Sequence, residues 1–438
     1  MIKREEMIVA CCSDLAGKTR GKAFPAAEFQ KRQHRGVGWT PTNVQITCFD
    51  VLGESPFGAL GDLVLIPDPA TLVSIDSEAG APPERFAMGD IRHTDGTPWA
   101  FCTRSILKGA LERLRRASGL TLYGAFEHEF QFRNTPGKAG DAFTLDGFRD
   151  ERAFCEAVVA ALRQAGVTPD TILREFGIGQ FEVTIGPQRG VTIADHAIAV
   201  REVVKSIAGA LGKSATFTPI RDPAGVGNGV HIHMSFLDES GRPATWQADG
   251  KHELSAVSGQ FVAGILKYLD SFLALTAPSL VSYLRLTPHR WSAAFNNLGL
   301  HDREAAVRIC PVSAISDLDR AAQFNFEFRA ADAAASPYLQ LAALVHAGAQ
   351  GIEERLPTPD ASREDLAALG ADELAARHYV RLPQTLEAAL ERLQASPTVA
   401  GWFPPAFVET YVKHKQAEIQ YLNGKDLAET CAAYEAVY

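Results

Sequence analysis

Apolar and polar residues alternate over short segments in the first ninety residues, which is the pattern of β-strands. Met7–Ser13 and Leu63–Pro67 are two such runs, and turn residues separate them from their neighbours. A pair of prolines at 82–83 and the turn at residues 95–98 indicate a boundary near residue 95. We therefore predict a small β-rich domain over residues 1–95 and a larger domain over residues 96–438.

After residue 95 the apolar positions change to the period of helices that alternate with strands. Thr103 is expected to cap a helix with one apolar stripe, and Thr192 with Asp195 to form a capping box for another. Ser336 followed by Pro337 is typical of a helix start. Further helices are predicted over residues 151–164, 254–275 and the last eighty residues, and strands over residues 123–132, 231–236 and 324–330. The predicted fold class is α+β with antiparallel-sheet character.

Composition limits the class of protein and its partners. The 438 residues are 46% hydrophobic and 22% charged, which is ordinary for a globular protein with a large core. A net charge of -9 without a lysine or arginine run argues against a nucleic-acid partner. The charged N-terminus and the polar residues inside the longest apolar run predict neither a signal sequence nor a membrane span. Seven cysteines without a C-x-x-C pair favour a reducing cytoplasm and no zinc site.

The predicted strand over residues 123–132 carries acids on one face. Side chains alternate along a strand, so Glu127, Glu129 and Gln131 share a face opposite three phenylalanines. Two neighbouring carboxylates repel each other unless a cation lies between them, and Mg²⁺ and Mn²⁺ prefer oxygen ligands. For this strand alone, a solvated edge is the more ordinary explanation.

Two further segments repeat this arrangement. Glu175 and Glu182 flank a Gly-x-Gly turn that can fold both carboxylates towards one point, although a surface turn with solvated acids would look the same. His231 and His233 share a face of another strand, where such a pair binds a metal or a phosphate.

The C-terminal half adds one acid and several arginines. Glu327 and Arg329 share a strand face, as a simple ion pair or as a metal ligand beside a carboxylate anchor. Irregular segments hold Arg285, Arg303 and Arg308, which are either solvated or able to bind phosphate and carboxylate groups. Together these segments predict a site for two divalent cations and phosphoryl transfer.

Four motifs resemble those of the glutamine synthetase family in their order and spacing. They are Glu-His-Glu-Phe from 127, Gly-Gln-Phe-Glu-Val from 179, Gly-Val-His-Ile-His-Met-Ser from 229 and Glu-Phe-Arg-Ala-Ala-Asp-Ala-Ala-Ala-Ser-Pro-Tyr-Leu from 327. The resemblance implies a β-grasp N-terminal domain and a catalytic domain in which antiparallel strands form a funnel surrounded by helices. It also implies a cytoplasmic homododecamer of two stacked hexameric rings, with active sites between subunits.

The resemblance also implies roles for individual residues. One Mg²⁺ or Mn²⁺ would be held by Glu129, Glu175 and Glu182. A second, beside the ATP phosphates, would be held by Glu127, His231 and Glu327. His233 would contact the ATP phosphates. Arg303 and Arg308 would stabilise the transferring phosphoryl group. Arg285, Arg329 and the Gly227 backbone would bind glutamate. Phosphorylation of the glutamate γ-carboxylate by ATP would then precede attack by an amine.

The chain departs from the family pattern at the amine site. Ammonia-using members carry Arg-Leu-x-Pro-Gly-Tyr-Glu-Ala-Pro, and Trp291 occupies the position of that glutamate. Trp291 either lines a pocket for the carbon skeleton of an organic amine or simply packs in a loop. Two other positions also differ, where Val226 and Asn325 replace a common asparagine and a common arginine. Asp50 corresponds to the family's amine-site aspartate, which a neighbouring subunit contributes, although its flanking residues differ.

These departures predict an ATP-dependent ligase that joins glutamate to an organic amine. Two alternatives remain open. The first alternative is a glutamine synthetase that uses ammonia with an unusual loop. The second is a non-catalytic family member with a structural or regulatory role.

Overall fold

The computed structural model describes residues 3–77, 80–133, 138, 140–315 and 319–438. An N-terminal sheet has the strand order β2-β1-β6-β4-β3, with β5 paired to β6. Its only parallel pair among the described strands is β1 with β6, and a short helix, α1, contacts β4. These elements are β1 (Met7–Ser13), β2 (Thr19–Pro25), α1 (Phe29–Arg35), β3 (Val37–Trp39), β4 (Leu63–Pro67), β5 (Val73–Ile75) and β6 (Glu84–His93).

A second, larger sheet follows and carries the acidic motifs. Its order is β16-β13-β14-β15-β12-β7-β9-β8, and β10 and β11 pair with β7. The strands are β7 (Thr121–Phe132), β8 (Pro169–Arg174), β9 (Gln180–Ile185), β10 (Gln188–Arg189), β11 (Ala215–Thr216), β12 (Val230–Leu237), β13 (Leu298–Gly299), β14 (Val307–Ile309), β15 (Phe326–Phe328) and β16 (Ala361–Ser362). The predicted α+β class, with a small N-terminal sheet and a large catalytic domain, is confirmed. The boundary at residue 95 falls between β6 and α2, and stays a prediction.

Helices cover the outside of the larger sheet. They are α2 (Thr103–Ser118), α3 (Leu145–Asp150), α4 (Arg152–Gln164), α5 (Thr192–Ala210), α6 (Ala256–Thr276), α7 (Ser282–Arg285), α8 (Arg320–Gln323), α9 (Pro337–Glu353), α10 (Ala371–Ala376), α11 (Leu386–Ala395), α12 (Pro397–Ala400), α13 (Phe407–Leu422) and α14 (Leu427–Val437). Among these described helices, none has both the length and the apolarity that a membrane span requires.

Three helices, α2, α6 and α9, pack closely together through α9. The buried helix α9 contacts both α2 and α6. Glycines permit the approach of α6 and α9, since a Cβ on Gly351 would lie 2.3 Å from the Gln260 carbonyl oxygen. On β7 the phenylalanines Phe126, Phe130 and Phe132 are buried in the core, so the opposite face is left for the acids, as the alternation predicts.

Two predicted helix caps are wrong. Thr103 is the first residue of α2 rather than its cap, and its hydroxyl donates to the Ser13 carbonyl at 2.6 Å. No side chain caps α5, because Asp195 accepts hydrogen bonds from Arg104 at 2.9 Å and from the Tyr338 hydroxyl at 2.5 Å. The Thr103 hydroxyl and the Asp195 carboxylate therefore form hydrogen bonds to distant parts of the chain instead of capping a helix.

Candidate active site

Strand register brings the sequence motifs together. Neighbouring strands β15, β12, β7 and β9 place three pairs of residues directly opposite each other. These pairs are His233 with Glu327, His231 with Glu127, and Glu129 with Glu182. Residues separated by up to 200 positions in the chain therefore share one face of one sheet.

Glu127, Glu182 and His231 form one close group. One ligand atom from each lies within 4.8 Å of the other two, and His231 Nδ1 lies 2.6 Å from Glu127 Oε1. Burial, reinforced by the negative charges of Glu127, Glu129 and Glu175, raises the pKa of Glu182 far above its ordinary value. Burial also raises the pKa of Glu175. Such a group of oxygen donors and one imidazole lacks positive charge, and a divalent cation fits it.

A glutamine orients the carboxylate of Glu129. Glu129 Oε2 accepts a hydrogen bond from the Gly229 amide at 2.7 Å and one from Gln180 Nε2 at 3.3 Å. The Gln180 amide also donates to the Gly227 carbonyl and to Asn228 Oδ1, each at 2.9 Å. Gln180 thus connects the predicted metal ligands to the predicted glutamate-binding backbone. The sequence interpretation assigned no role to it, although it lies within a recognised motif.

Glu327 is already neutralised by arginines. Its Oε1 accepts from Arg308 Nε at 2.6 Å and from Arg329 Nη1 at 2.7 Å. Its Oε2 lies 3.2 Å from His233 Nε2. Although burial raises the pKa of Glu327, the hydrogen bond from His233 and the neighbouring positive charges hold it well below the ordinary range. This carboxylate is therefore ionised and tightly oriented.

Arg285 lies buried against the glycine-rich turn before β12. Its guanidinium donates to Ser292 Oγ at 2.7 Å and to the Ala331 carbonyl. A Cβ at Gly227 would lie only 2.6 Å from Arg285 Cδ, so the close approach requires glycine there. Burial lowers the pKa of Arg285, and the negative charges of Asp332 and Glu129 offset part of that effect. The two predicted carboxylate-binding arginines, Arg285 and Arg329, thus border the acid-rich face.

The loop over residues 286–292 closes one side of this face. His289 and Trp291 have positive φ angles of 62° and 55°, and both backbone amides donate to Glu304 at 2.9 Å. The Trp291 carbonyl accepts from Arg329 Nη2 at 3.3 Å, while its indole is 72% exposed. The backbone of the loop is fixed and its aromatic tip is free. Sequence reasoning missed Glu304, because its partners are backbone amides.

Two of the predicted catalytic residues lie apart from this cluster. Arg303 is exposed, and among the described residues its side chain has no hydrogen-bond or ion-pair partner. Asp50, in the N-terminal region, has a side chain that is 81% exposed and pairs with Arg20 at 3.3 Å. Within a single protomer Asp50 therefore has no bond to the acids.

A cavity of about 240 Å³ opens beside Glu127 and His233. Tyr123, Phe324 and Asn325 contribute to its walls. His233 Nδ1 lies 3.0 Å from Asn325 Oδ1, which fixes the ring at the cavity floor. A flat aromatic group bearing phosphates would find apolar walls, an imidazole and carboxylates in this space.

The fold and the acid-lined, arginine-bordered sheet are those of a glutamine synthetase-type ligase. Residues 100–429 match the model of the glutamine synthetase catalytic domain, and residues 2–99 match that of the glutamine synthetase N-terminal domain. The chain belongs to the glutamine synthetase family.

Similar proteins include both amine ligases and glutamine synthetases. The chain is 32% identical to the γ-glutamylpolyamine synthetase GlnA3 of Streptomyces coelicolor, over 98% of this chain and 93% of that protein. It is 29% identical to a glutamate–isopropylamine ligase of a Pseudomonas species, over 83% of this chain and 79% of that protein. A crystal structure of a novel glutamine synthase homolog covers both chains completely, with a TM-score of 0.92 and 38% identity. Relatives named glutamine synthetase also match.

Proposed function

We propose that this protein is an ATP-dependent ligase that joins the γ-carboxylate of glutamate to an organic amine through γ-glutamyl phosphate. The observation that carries the proposal is Trp291. It presents an exposed indole at the position where the family resemblance places a carboxylate in ammonia-using members, next to a complete set of predicted metal ligands. The similarity to two amine ligases supports the same interpretation.

Two divalent cations are assigned to the acidic face because Glu127, Glu129 and Glu175 concentrate negative charge around Glu182. Mg²⁺ or Mn²⁺ bound there would neutralise charge on the ATP phosphates. The proposed ligands are Glu129, Glu175 and Glu182 for one ion, and Glu127, His231 and Glu327 for the other.

Arginines orient the acid substrate and stabilise the transferring group in this proposal. Arg285 and Arg329, with the Gly227 backbone, bind the glutamate carboxylate, and His233 contacts the ATP phosphates. Arg308 and Arg303 stabilise the negative charge of the γ-phosphoryl group during transfer. Arg308 is held by Glu327 in advance, whereas the free side chain of Arg303 closes over substrate.

The amine then attacks the acyl phosphate carbonyl, and the bond between the carbonyl carbon and the phosphate oxygen breaks to release inorganic phosphate. An exposed indole offers an apolar face to alkyl or aryl groups and attracts an ammonium by its π electrons. The attacking nitrogen must lose a proton, and we assign this step to Asp50 of a neighbouring subunit in a dodecamer of stacked hexamers. The exposure of Asp50 within the protomer is compatible with that assignment.

Release of ADP with glutamate and a panel of nitrogen donors tests the proposal. The panel comprises ammonia, alkylamines, arylamines and polyamines. We expect at least one organic amine to give a higher kcat/KM than ammonia. A preference for ammonia over every amine tested would instead identify a glutamine synthetase. Failure to bind Mg²⁺-ATP at millimolar concentration would favour the non-catalytic alternative.

A further inference from the structure

A buried thiol lies beside the proposed nucleotide site. Cys310 follows β14 directly, and its amide donates to the Asn325 carbonyl at 3.0 Å, which extends the ladder between β14 and β15. Its Sγ lies 3.6 Å from His233 Nδ1. The spacing of the cysteines in the sequence predicts no zinc site, yet the fold brings this one into contact with an imidazole.

Glu327 provides a third donor at the same place. One ligand atom from each of His233, Cys310 and Glu327 lies within 4.8 Å of the other two. Both arginines bind Glu327 Oε1, so Oε2 remains directed towards His233 at 3.2 Å. Ligand atoms around tetrahedral zinc are about 3.5 Å apart, so the three side chains must draw closer together than they are in this structure.

The donor types favour a thiophilic ion. A thiolate, an imidazole and a carboxylate are ligands of Zn²⁺, whereas Mg²⁺ prefers oxygen donors alone. The Asn325 amide oxygen, at 3.0 Å from His233 Nδ1, accepts a hydrogen bond in the manner that orients metal-bound histidines. That bond leaves His233 Nε2 as the ligand atom that faces Glu327, so Cys310 Sγ, which lies at the Nδ1 side of the ring, must turn towards Nε2 when the ion binds.

We propose that His233, Cys310 and Glu327 form a zinc site that overlaps the nucleotide site and inhibits the enzyme when occupied. Binding releases two protons to solvent, that of the Cys310 thiol and that which His233 Nε2 donates to Glu327, and leaves a thiolate and a neutral imidazole as ligands. Zn²⁺ would engage Glu327 and His233, which the proposed function assigns to a catalytic metal and to the ATP phosphates. The inhibition therefore depends on the proposed function, whereas the binding does not.

Cobalt substitution tests the binding directly. Co²⁺ added to chelator-treated protein should give the ultraviolet charge-transfer absorption of a cobalt–thiolate bond, and Zn²⁺ should displace it. Cys310→Ser should abolish this absorption. Cys155→Ser, which removes a buried thiol from α4, should retain it. Thermal unfolding of each variant checks that the fold is intact. Absence of the absorption from the wild-type protein, or its persistence in Cys310→Ser, would refute the site.

Inhibition by Zn²⁺ supplies a second test. At fixed Mg²⁺-ATP, Cys310→Ser should need at least about tenfold more Zn²⁺ than the wild-type protein for half-inhibition of ADP release. Equal sensitivity of the two proteins would mean that Zn²⁺ acts at the acids alone, and would overturn the inhibitory role. A protein with the cobalt absorption but no ligase activity would refute the proposed function and leave the zinc site standing.

Discussion

The indole of Trp291 projects from a backbone that is fixed on both sides by Glu304 and Arg329. Its φ of 55° is unusual for an aromatic residue, and such backbone conformations persist only where surrounding bonds enforce them. The side chain itself has 72% exposure and little packing to lose. A substitution at this position should therefore change what the loop presents without unfolding it.

Trp291→Glu should move the preference from organic amines towards ammonia. The carboxylate restores a binding group for a small cation and removes the apolar face. We expect the ratio of kcat/KM for ammonia to that for the best organic amine to rise about tenfold or more, which corresponds to about 1.4 kcal/mol. ADP release with each donor measures the ratio.

Trp291→Phe serves as the matched control, since it keeps an aromatic face and should retain the amine preference. An unchanged ratio in Trp291→Glu would assign the indole to simple loop packing.

Alternation along single strands predicted which acids share a face, and the structure brings Glu127 and Glu129 to the same face of β7 as expected. The register between strands was not predictable, because it depends on pairing across distant segments. For the same reason no role could be predicted for Gln180, Glu304 or Cys310, although Gln180 lies within a recognised motif. Their roles depend on backbone amides and on neighbours that only the folded sheet supplies.

At the scale of elements, one carboxylate accepts hydrogen bonds from two backbone amides of the loop over residues 286–292. Glu304→Ala leaves the amides of His289 and Trp291 without their acceptor. We expect faster hydrogen exchange in this loop and a rise of about tenfold in KM for the amine, with a smaller change in KM for ATP.

Glu304→Gln retains one carbonyl oxygen and should fall between the wild-type protein and the alanine variant. Equal increases in KM for all substrates would point to a general structural defect rather than to positioning of the amine site.

The glycine contacts between α6 and α9 allow a stability prediction. Gly351→Ala would place a Cβ 2.3 Å from the Gln260 carbonyl oxygen, so the helices must separate. Overpacking of this kind costs about 1–3 kcal/mol, which thermal or denaturant unfolding measures.

The control is Gly209→Ala on α5, where a Cβ meets nothing within 4 Å. That variant should be neutral or slightly more stable, because alanine is the better helix former. Comparable destabilisation of both variants would contradict the packing argument.

Elements were predicted where local pattern and tertiary packing agree. The strand over residues 123–132 and the apolar helix over residues 254–275 are present with small shifts at their ends. The capping box at Thr192 failed because Asp195 binds Arg104, which joins α5 to α2. A buried ion pair of this kind cannot be read from spacing within one helix.

At the scale of the whole molecule, stability should depend on pH through buried histidine. Burial, together with the charge of Arg113, lowers the pKa of His346 to about 3. The unfolded chain binds a proton at this group below about pH 6.5, and the folded chain does not, so stability falls as the pH decreases.

The titration of His346 should lower the free energy of unfolding by about 2 kcal/mol between pH 7 and pH 5. His346→Gln removes this titration and should make the curve of unfolding free energy less steep over that range, while His128, whose pKa burial also lowers to about 3, continues to contribute. An identical slope in both proteins would show that other groups control the acid response.

The family was predictable from four motifs between residues 127 and 339, and the family models match over residues 2–99 and 100–429. The strand order of the larger sheet was not. Its neighbours lie far apart in the chain, and no local pattern encodes such pairing.

The bonds between Glu304 and its loop place amine selection and phosphoryl transfer on different parts of the molecule. Most of the residues proposed to bind the metal ions lie on strands of the sheet, whereas the residue proposed to choose the amine stands on a loop whose backbone is bound by Glu304 and Arg329. Mutations at the tip of that loop leave its anchoring bonds in place, so nitrogen-donor choice can diverge among descendants of one ancestor while the ATP-consuming half-reaction is inherited unchanged.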